Sequence, residues 1–506
     1  MLSILLAILL VILGPLWFLI LRRTAQTYSR NGRKLPPGPQ PLPIIGNLHM
    51  LTTLPNRGLR DLAQKYGPIM SLRLGQVPAI VVSSPEAAEL FLKTHDIAFA
   101  SRPILQASDY LSYGSKGMAM AEYGPYWRNF RKLCTLQLLS RLKIESFAAL
   151  RREEVGALVE RFKEAAAAGE VVDVSAKVRE LSEDITYKMI LGRNKDEKYD
   201  LKKIIEESTD LLGAFNLADF VPYLGPLDLQ GLTRRMKKVS KAIDQVLENI
   251  IVEHEQAAST SQQAGHRDFV DVLLSYMNQP LNPQDDNVYV IDRTNIKAVL
   301  LEMVTGAFDT SSTSVLWTLS ELLRNPRVMK NLQDELQSAV GINRMVEEKD
   351  LGKLDYLNMV ITESFRLYPV TPFLVPRESR EDITIEEYFI PKKSRIIVNT
   401  WAIGRDPNVW SENVEEFHPE RFIGSDTDLG GHDFRLLPFG SGRRGCPGMQ
   451  LGLVTVRFVL AQLVHCFSWE LPNGMKPNDV DMTEVFGLTM GRANHLVAKP
   501  TYRLVA

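Results

Sequence analysis

Eleven residues near the C-terminus constrain this chain more than any others: "PFGSGRRGCPG", Pro438 to Gly448. Gly440, Gly442 and Gly445 fit G-x-G-x-x-G, a dinucleotide-binding spelling that needs a buried strand before it and a helix opening on it. Pro438 and Phe439 precede it instead, with no β-branched run leading in. The reading that remains is a tight loop presenting one thiolate, Cys446, to something bulky and flat. The segment after the cysteine, "MQLGLVTVRFVLAQLVHCF", predicts a long apolar helix.

The chain has 506 residues, 45% of them hydrophobic, and a formal net charge of -1. That is ample for a large core, and it argues against a nucleic-acid binder, which is usually strongly basic. Cys134, Cys446 and Cys466 are far apart and form no C-x-x-C, which excludes a disulfide framework and a zinc site. Leu2 to Leu21 is uncharged and long enough to cross about 30 Å of hydrocarbon as a helix. Arg22, Arg23, Arg30, Arg33 and Lys34 follow with no acid among them, and that flank places the body of the chain in the cytosol. The absence of any N-x-[ST] acceptor agrees; the alternative is a signal-anchor for a lumenal domain. The chain therefore divides into a transmembrane anchor over 1–23, a basic and proline-rich hinge over 24–48, and a single domain over 49–506. The hinge prolines predict a stiff extended connector. The domain reads as mainly α with small β-sheets. Ile69 to Ser84 predicts two short strands around a Gly-Gln turn, and Pro85 opens a helix. Helical periodicity dominates from about Ala121 to Leu354, strand-like alternation returns over Ile383 to Trp401, and Gln256 to His266 reads as a polar, mobile stretch.

Asn295 to Leu323 predicts a helix apolar on nearly every side, hence buried. Its middle nevertheless carries Gly306-Ala307 and then Asp309-Thr310-Ser311-Ser312-Thr313. Small residues let a flat body approach, whereas buried acids and hydroxyls without partners are costly. These groups satisfy one another in a polar kink, bind water, or handle protons. Glu363 and Arg366 stand three apart on one helix face, where acid and base pair, and Arg421 in "FHPERF" is a candidate third member. Trp127 and Arg131 share a face at i, i+4, an indole donor beside a guanidinium that suits a carboxylate. Arg377 and Arg444 add cations. A bulky ligand with acid groups near a presented thiolate explains them together.

Phe439-x-x-Gly442-x-Arg444-x-Cys446-x-Gly448 resembles the haem-binding signature of the cytochrome P450 superfamily, and the order of the other motifs is similar to its plant microsomal members. The resemblance covers essentially the whole chain. It implies the cytochrome P450 fold, haem b with Cys446 as axial thiolate, and Trp127, Arg131, Arg377 and Arg444 as propionate partners. Phe439, Gly442 and Gly448 would shape the haem loop, Glu363, Arg366 and Arg421 would form the structural triad, and Asp309 and Thr310 the proton-delivery pair. One departure is Ala307, where the family's oxygen-groove motif usually has glycine; the added methyl narrows the groove or shifts the substrate. Cys134 and Cys466 read as core thiols, and His49, His418 and His432 as structural.

The implied activity is haem-thiolate monooxygenation, in which RH, O₂ and two electrons give ROH and water. The electrons come from NADPH through the NADPH-cytochrome P450 reductase, at the endoplasmic reticulum membrane, with a single-pass anchor and the catalytic domain facing the cytosol. By resemblance the pocket draws on residues 104–123, 215–229, 301–310, 370–375 and 486–489. Its members Ala307, Val370, Phe373, Leu374 and Leu488 are apolar with no cation among them, which favours a small hydrophobic plant metabolite, a sesquiterpene-like terpenoid first and an aromatic phenylpropanoid, biphenyl or flavonoid-type compound next. Alternatives of other classes are a reductase-independent haem-thiolate isomerase or dehydratase, and a haem-binding sensor or carrier. Arg128, Lys132 and Arg443, beside the cysteine loop, are the expected basic patch for the reductase.

Overall fold

The computed structural model describes residues 33–194, 200–259, 268–281, 288–411 and 413–505. The expected anchor over 1–23, residues 24–32 of the hinge and residues 260–266 of the expected mobile stretch lie outside them. Residues 256–259, read in the sequence as part of that stretch, instead complete a helix.

The described chain holds ten α-helices of nine residues or more: α1 Pro55–Tyr66, α2 Pro125–Leu133, α3 Ala148–Ala168, α4 Val174–Leu191, α5 Leu201–Gly213, α6 Leu232–Ser259, α7 Arg293–Arg324, α8 Pro326–Val340, α9 Asp355–Leu367 and α10 Met449–Cys466. Their ends follow local chemistry. Proline opens α1, α2 and α8, where its missing N–H costs nothing. Asp173 caps α4, and Asp292 with Asn295 caps α7 reciprocally. Gly169 and Gly192 stop α3 and α4 in the left-handed conformation.

The strands are β1 Ile69–Leu74, β2 Val77–Val82, β3 Val172–Asp173, β4 Arg377–Glu378, β5 Ile383–Ile385, β6 Tyr388–Ile390, β7 Arg395–Val398, β8 Phe467–Glu470, β9 Glu484–Phe486, β10 Met490–Arg492 and β11 Val497–Tyr502. β1 and β2 form the expected hairpin, closed by Gly75 at φ +59°. The larger sheet runs β1-β2-β7-β4, with β2 and β7 parallel. β3-β11-β8, the β5-β6 hairpin and the β9-β10 hairpin complete the small sheets.

The main core joins α3, α4, α8, α9 and α10 to α7. α7 is buried on all sides at both ends, as its sequence predicts, and it packs against α4 and α10. Cys134 and Cys466 are buried core thiols; burial raises both, Cys466 to about 12. α10 is long and apolar enough to cross a membrane, yet it lies mostly inside the core.

The proline-rich segment, expected as a stiff extended connector, is docked on the domain over its described part. Ser71 donates to the Pro36 carbonyl at 2.7 Å and to the Pro37 carbonyl at 2.9 Å, and the chain bridges on itself between Leu42 and Gly46. A Cβ on Gly38 would stand 1.9 Å from the Ser71 carbonyl oxygen, so residues 36–48 are docked onto β1 through a glycine that admits no side chain.

Candidate active site

The cysteine loop runs from Phe439 into α10. The Cys446 amide donates to the Phe439 carbonyl at 2.8 Å, and the Gly445 amide to Gly442 at 3.0 Å. Gly440 and Gly442 hold φ of +65° and +66°. A Cβ on Gly442 would also lie 2.3 Å from the Leu92 carbonyl oxygen, so backbone conformation and space both demand glycine there. Phe439 packs edge-on against Phe365 of α9, tying the loop to the core. Cys446 is exposed by accessible surface, yet burial raises its thiol above the usual range, while the Gly448 amide and Arg131 pull it back. Both are true of a side chain lining an interior cavity, and the desolvation follows from the protein mass around it.

α7 carries a matching opening. Gly306 is exposed, and Ala307, Asp309 and Thr310 are half-buried, in a helix otherwise shut. A Cβ on Gly306 would meet nothing within 4 Å. Glycine inside a helix costs about 1 kcal/mol against alanine, and the protein's own packing gives no reason for it here; a flat body closing on the helix does. The hydroxyls do not break the helix. Thr310 donates to Gly306 at 2.8 Å, Ser314 to Thr310 at 2.9 Å and Thr318 to Ser314 at 2.7 Å, and α7 continues without interruption. The self-satisfied arrangement therefore holds for the hydroxyls. The acid is different: Asp309 accepts from Thr313 at 3.4 Å and from Thr489, across in the β9-β10 turn.

The cations converge. Arg131 donates to the Gly445 carbonyl at 2.5 Å, and Arg444 donates to Ala100 at 2.7 Å and Ala121 at 2.6 Å. Arg377 pairs with Asp96 at 2.6 Å and donates to Ser441 at 2.5 Å. Trp127 donates its indole N–H to the Met118 carbonyl at 2.9 Å and stacks under Arg444 at 4.2 Å. A fourth guanidinium, Arg102, bonds the carbonyls of Ala119, Val375 and Pro376. Desolvation first, and mutual repulsion second, hold Arg102 and Arg444 below the usual guanidinium range, Arg444 at about 9. Desolvation also lowers Arg131 and Arg377. Buried cations in excess of nearby acids fit a ligand with two carboxylates. The residues present thus fit haem: a cavity-facing thiol, a helix opened at a glycine, and surplus guanidinium charge.

The sequence reading omits Arg102 and gives Glu302 no role of its own, only a place in the predicted helix and the pocket range 301–310. Arg102 closes the buried run Ala98-Phe99-Ala100-Ser101, an arginine inside apolar sequence that was the available signal. Glu302, on α7, accepts from the Met118 and Ala119 amides at 2.5 and 2.9 Å, and desolvation pushes it up to about 7. Gly117 clears its carboxylate, which a Cβ there would meet at 2.2 Å.

Glu363, Arg366 and Arg421 meet as a buried knot. Arg366 donates twice to Glu363 at 2.8 Å, Arg421 once at 2.9 Å and the His418 amide at 2.8 Å. The remaining guanidinium protons of Arg366 tie the Gly404, Val414 and Glu416 carbonyls to α9. Of the apolar pocket candidates, Val370, Phe373, Leu374 and Leu488 are all half-buried. Leu374 holds φ +53°, a strained setting for leucine, and lies against Gly440 of the cysteine loop.

A helical fold with a thiol loop facing an opened core helix, ringed by surplus arginines, defines a haem-thiolate protein. The family model for cytochrome P450 matches residues 36–497, and the chain belongs to that family. It is 61% identical to cytochrome P450 CYP736A12 of Panax ginseng, over 93% of this chain and 94% of that one. It is 41% identical to desmethyl-deoxy-podophyllotoxin synthase of Sinopodophyllum hexandrum, over 96% and 95% respectively. A zebra fish cytochrome P450 solved with abiraterone superposes with a TM-score of 0.73 at 25% identity, over 89% of this chain and all of that one. The protein is a cytochrome P450 monooxygenase that uses haem, O₂ and a redox-partner reductase drawing on NADPH.

Proposed function

We propose that this monooxygenase hydroxylates a small hydrophobic plant secondary metabolite, a sesquiterpene-like terpenoid. The observation that carries the reading is the character of the expected pocket residues: Ala307, Val370, Phe373, Leu374 and Leu488 are apolar, half-buried and without a cation among them. An aromatic phenylpropanoid, biphenyl or flavonoid-type substrate is the second reading. The edge-to-face pair of Phe373 and Phe486, 5.6 Å between centroids, offers an aromatic ligand a stacking wall. The relatives' names vary and favour neither.

When bound, haem b supplies the reduction of O₂ and the oxidation of a C–H bond. The chain's residues do the rest. Cys446 offers the sulfur, which a metal's charge must help deprotonate against the burial that raises it. Arg102, Arg131, Arg377 and Arg444 bind carboxylates and lose their mutual repulsion in doing so, with Trp127 packed beneath Arg444 and Arg131. Gly306 admits a flat ring, and the apolar lining excludes water from it. Asp309 and Thr310 hold and move a proton at the Thr310 Oγ1. Glu363, Arg366 and Arg421 keep the loops behind Cys446 in place.

In the same reading residues 1–23 anchor the protein in the endoplasmic reticulum membrane, 24–48 are the hinge, and 49–506 form the catalytic domain on the cytosolic side. The experiment is a product screen of the reductase-supported enzyme against terpene and aromatic libraries. Turnover confined to aromatics replaces the first reading with the second, and turnover of neither removes both.

A further inference from the structure

Thr489 enters the reading above only as one end of the expected pocket range 486–489, yet it is bonded to the one acid of the open stretch. It lies in the turn between β9 and β10, next to Leu488. The turn is pinned on several sides. The Met490 amide donates to the Val370 carbonyl at 2.8 Å, and the Trp317 indole of α7 donates to the Met490 carbonyl at 2.9 Å. Phe486 packs on Phe373. Gly213, the last residue of α5, abuts the turn so closely that a Cβ there would lie 2.3 Å from the Leu488 nitrogen. The turn is therefore a fixed wall, set by three other segments.

From this wall the Thr489 hydroxyl donates to Asp309 Oδ2, while Thr313 donates to Oδ1. Both carboxylate oxygens are engaged, and neither by Thr310. Asp309 leans along α7 toward residue i+4. The Thr310 hydroxyl leans the other way, to Gly306 at i−4. Adjacent in sequence, the two groups point in opposite directions along the helix. In this arrangement the Thr489 hydroxyl, and not Thr310, sets the direction of the Asp309 carboxylate.

We propose that Thr489 is a positioning residue for proton delivery: its hydroxyl holds the Asp309 carboxylate in the one orientation from which the acid serves Thr310. The inference rests on the proton-delivery reading of Asp309 and Thr310. It makes the substrate-facing turn and the acid one mechanical unit, so a substrate seated against Leu488 acts on the acid through the neighbouring hydroxyl. An aliphatic side chain of the same shape leaves Asp309 Oδ2 without that donor and the carboxylate free to turn.

The test uses reductase-supported holoenzyme with a substrate from the product screen. Thr489→Val lowers product formed per NADPH roughly tenfold, within the range that misplacing a catalytic group carries, with a matching gain in hydrogen peroxide and a larger solvent isotope effect on kcat. Thr489→Ser, which keeps the donor, restores all three. In an Asp309→Ala background Thr489→Val changes none of them. A readout independent of turnover is the urea-unfolding midpoint of the ferric holoenzyme: Asp309→Ala and Thr489→Val are non-additive if the bond exists. Unchanged coupling in Thr489→Val, failure of serine to rescue, or additivity in the cycle overturns the proposal. Thr310→Ala is the separate check on the underlying reading. If it releases no additional peroxide, proton delivery by this pair fails; if it uncouples while Thr489→Val does not, only the role of Thr489 fails.

Discussion

At the scale of single residues, the site is a set of side chains whose ionisation the fold opposes. Cys446 is raised by burial and needs a partner to ionise. Replacing it with serine keeps the shape and substitutes a harder, far less acidic ligand. Cys446→Ser is expected to lose the red-shifted absorption band of the reduced CO complex and all reductase-supported turnover; a variant retaining both removes Cys446 from the axial position. Glu302 gives a pH signature. Its carboxyl is raised from 4.5 to about 7, chiefly by desolvation, so the folded protein holds that proton more tightly than the unfolded chain. An acid raised in this way stabilises the fold at low pH and loses that contribution as pH rises from about 4.5 through about 7. Glu302→Gln cannot titrate, so its unfolding midpoint falls less than the wild type's across that window. Equal slopes for the two proteins mean that Glu302 is ionised throughout.

Among the elements, α9 and the loops behind the cysteine depend on one knot. Glu363 and Arg366 are fully buried, and removing one partner of a buried pair leaves a charge uncompensated at a cost of about 3–5 kcal/mol. Arg366→Met is expected to lower the unfolding midpoint sharply and weaken haem retention, because the tethers to Gly404, Val414 and Glu416 go with it. Little change in either measurement reduces the knot to local packing. This pair also marks where sequence reading stops. An acid and an arginine three apart are usually solvated, and only Arg421 arriving from 55 residues downstream of Arg366 closes them off, a contact no local pattern encodes. α7 was legible because its apolar residues surround it on every side, as were the β1-β2 hairpin and α10. The cysteine loop was legible because its glycines, arginines and thiol are consecutive. The individual roles of Arg102, Glu302 and Thr489 were not, because each acts through a partner distant in sequence: Arg102 through Arg444, Glu302 through the 118–119 amides, and Thr489 through Asp309.

On the scale of the whole molecule, the docked segment 36–48 bears on the truncation experiment. Deleting residues 1–23 leaves that clamp on β1 intact, so the shortened protein is expected to shift toward the soluble fraction and keep its haem. Haem lost from a soluble truncate makes the N-terminal segment part of the fold. The electron donor raises the same question from the other side, since two electrons must enter from outside. The docking expectation places that entry on the face that carries the cysteine loop. Arg128 and Lys132 are both exposed, at i and i+4 of α2, off the row that sends Trp127 and Arg131 inward. Arg443 leaves the cysteine loop toward solvent, resting on Tyr123 and near Asp96. If the reductase docks here, these charges steer an acidic partner, and salt screens such steering over about 10 Å. Reversing all three to glutamate is expected to raise the apparent KM for the reductase and flatten its dependence on ionic strength. Peroxide-driven turnover, which bypasses the reductase, stays near the wild-type rate. Equal losses by both routes assign these side chains to haem binding or folding. An unchanged reductase KM places the docking face elsewhere on the molecule.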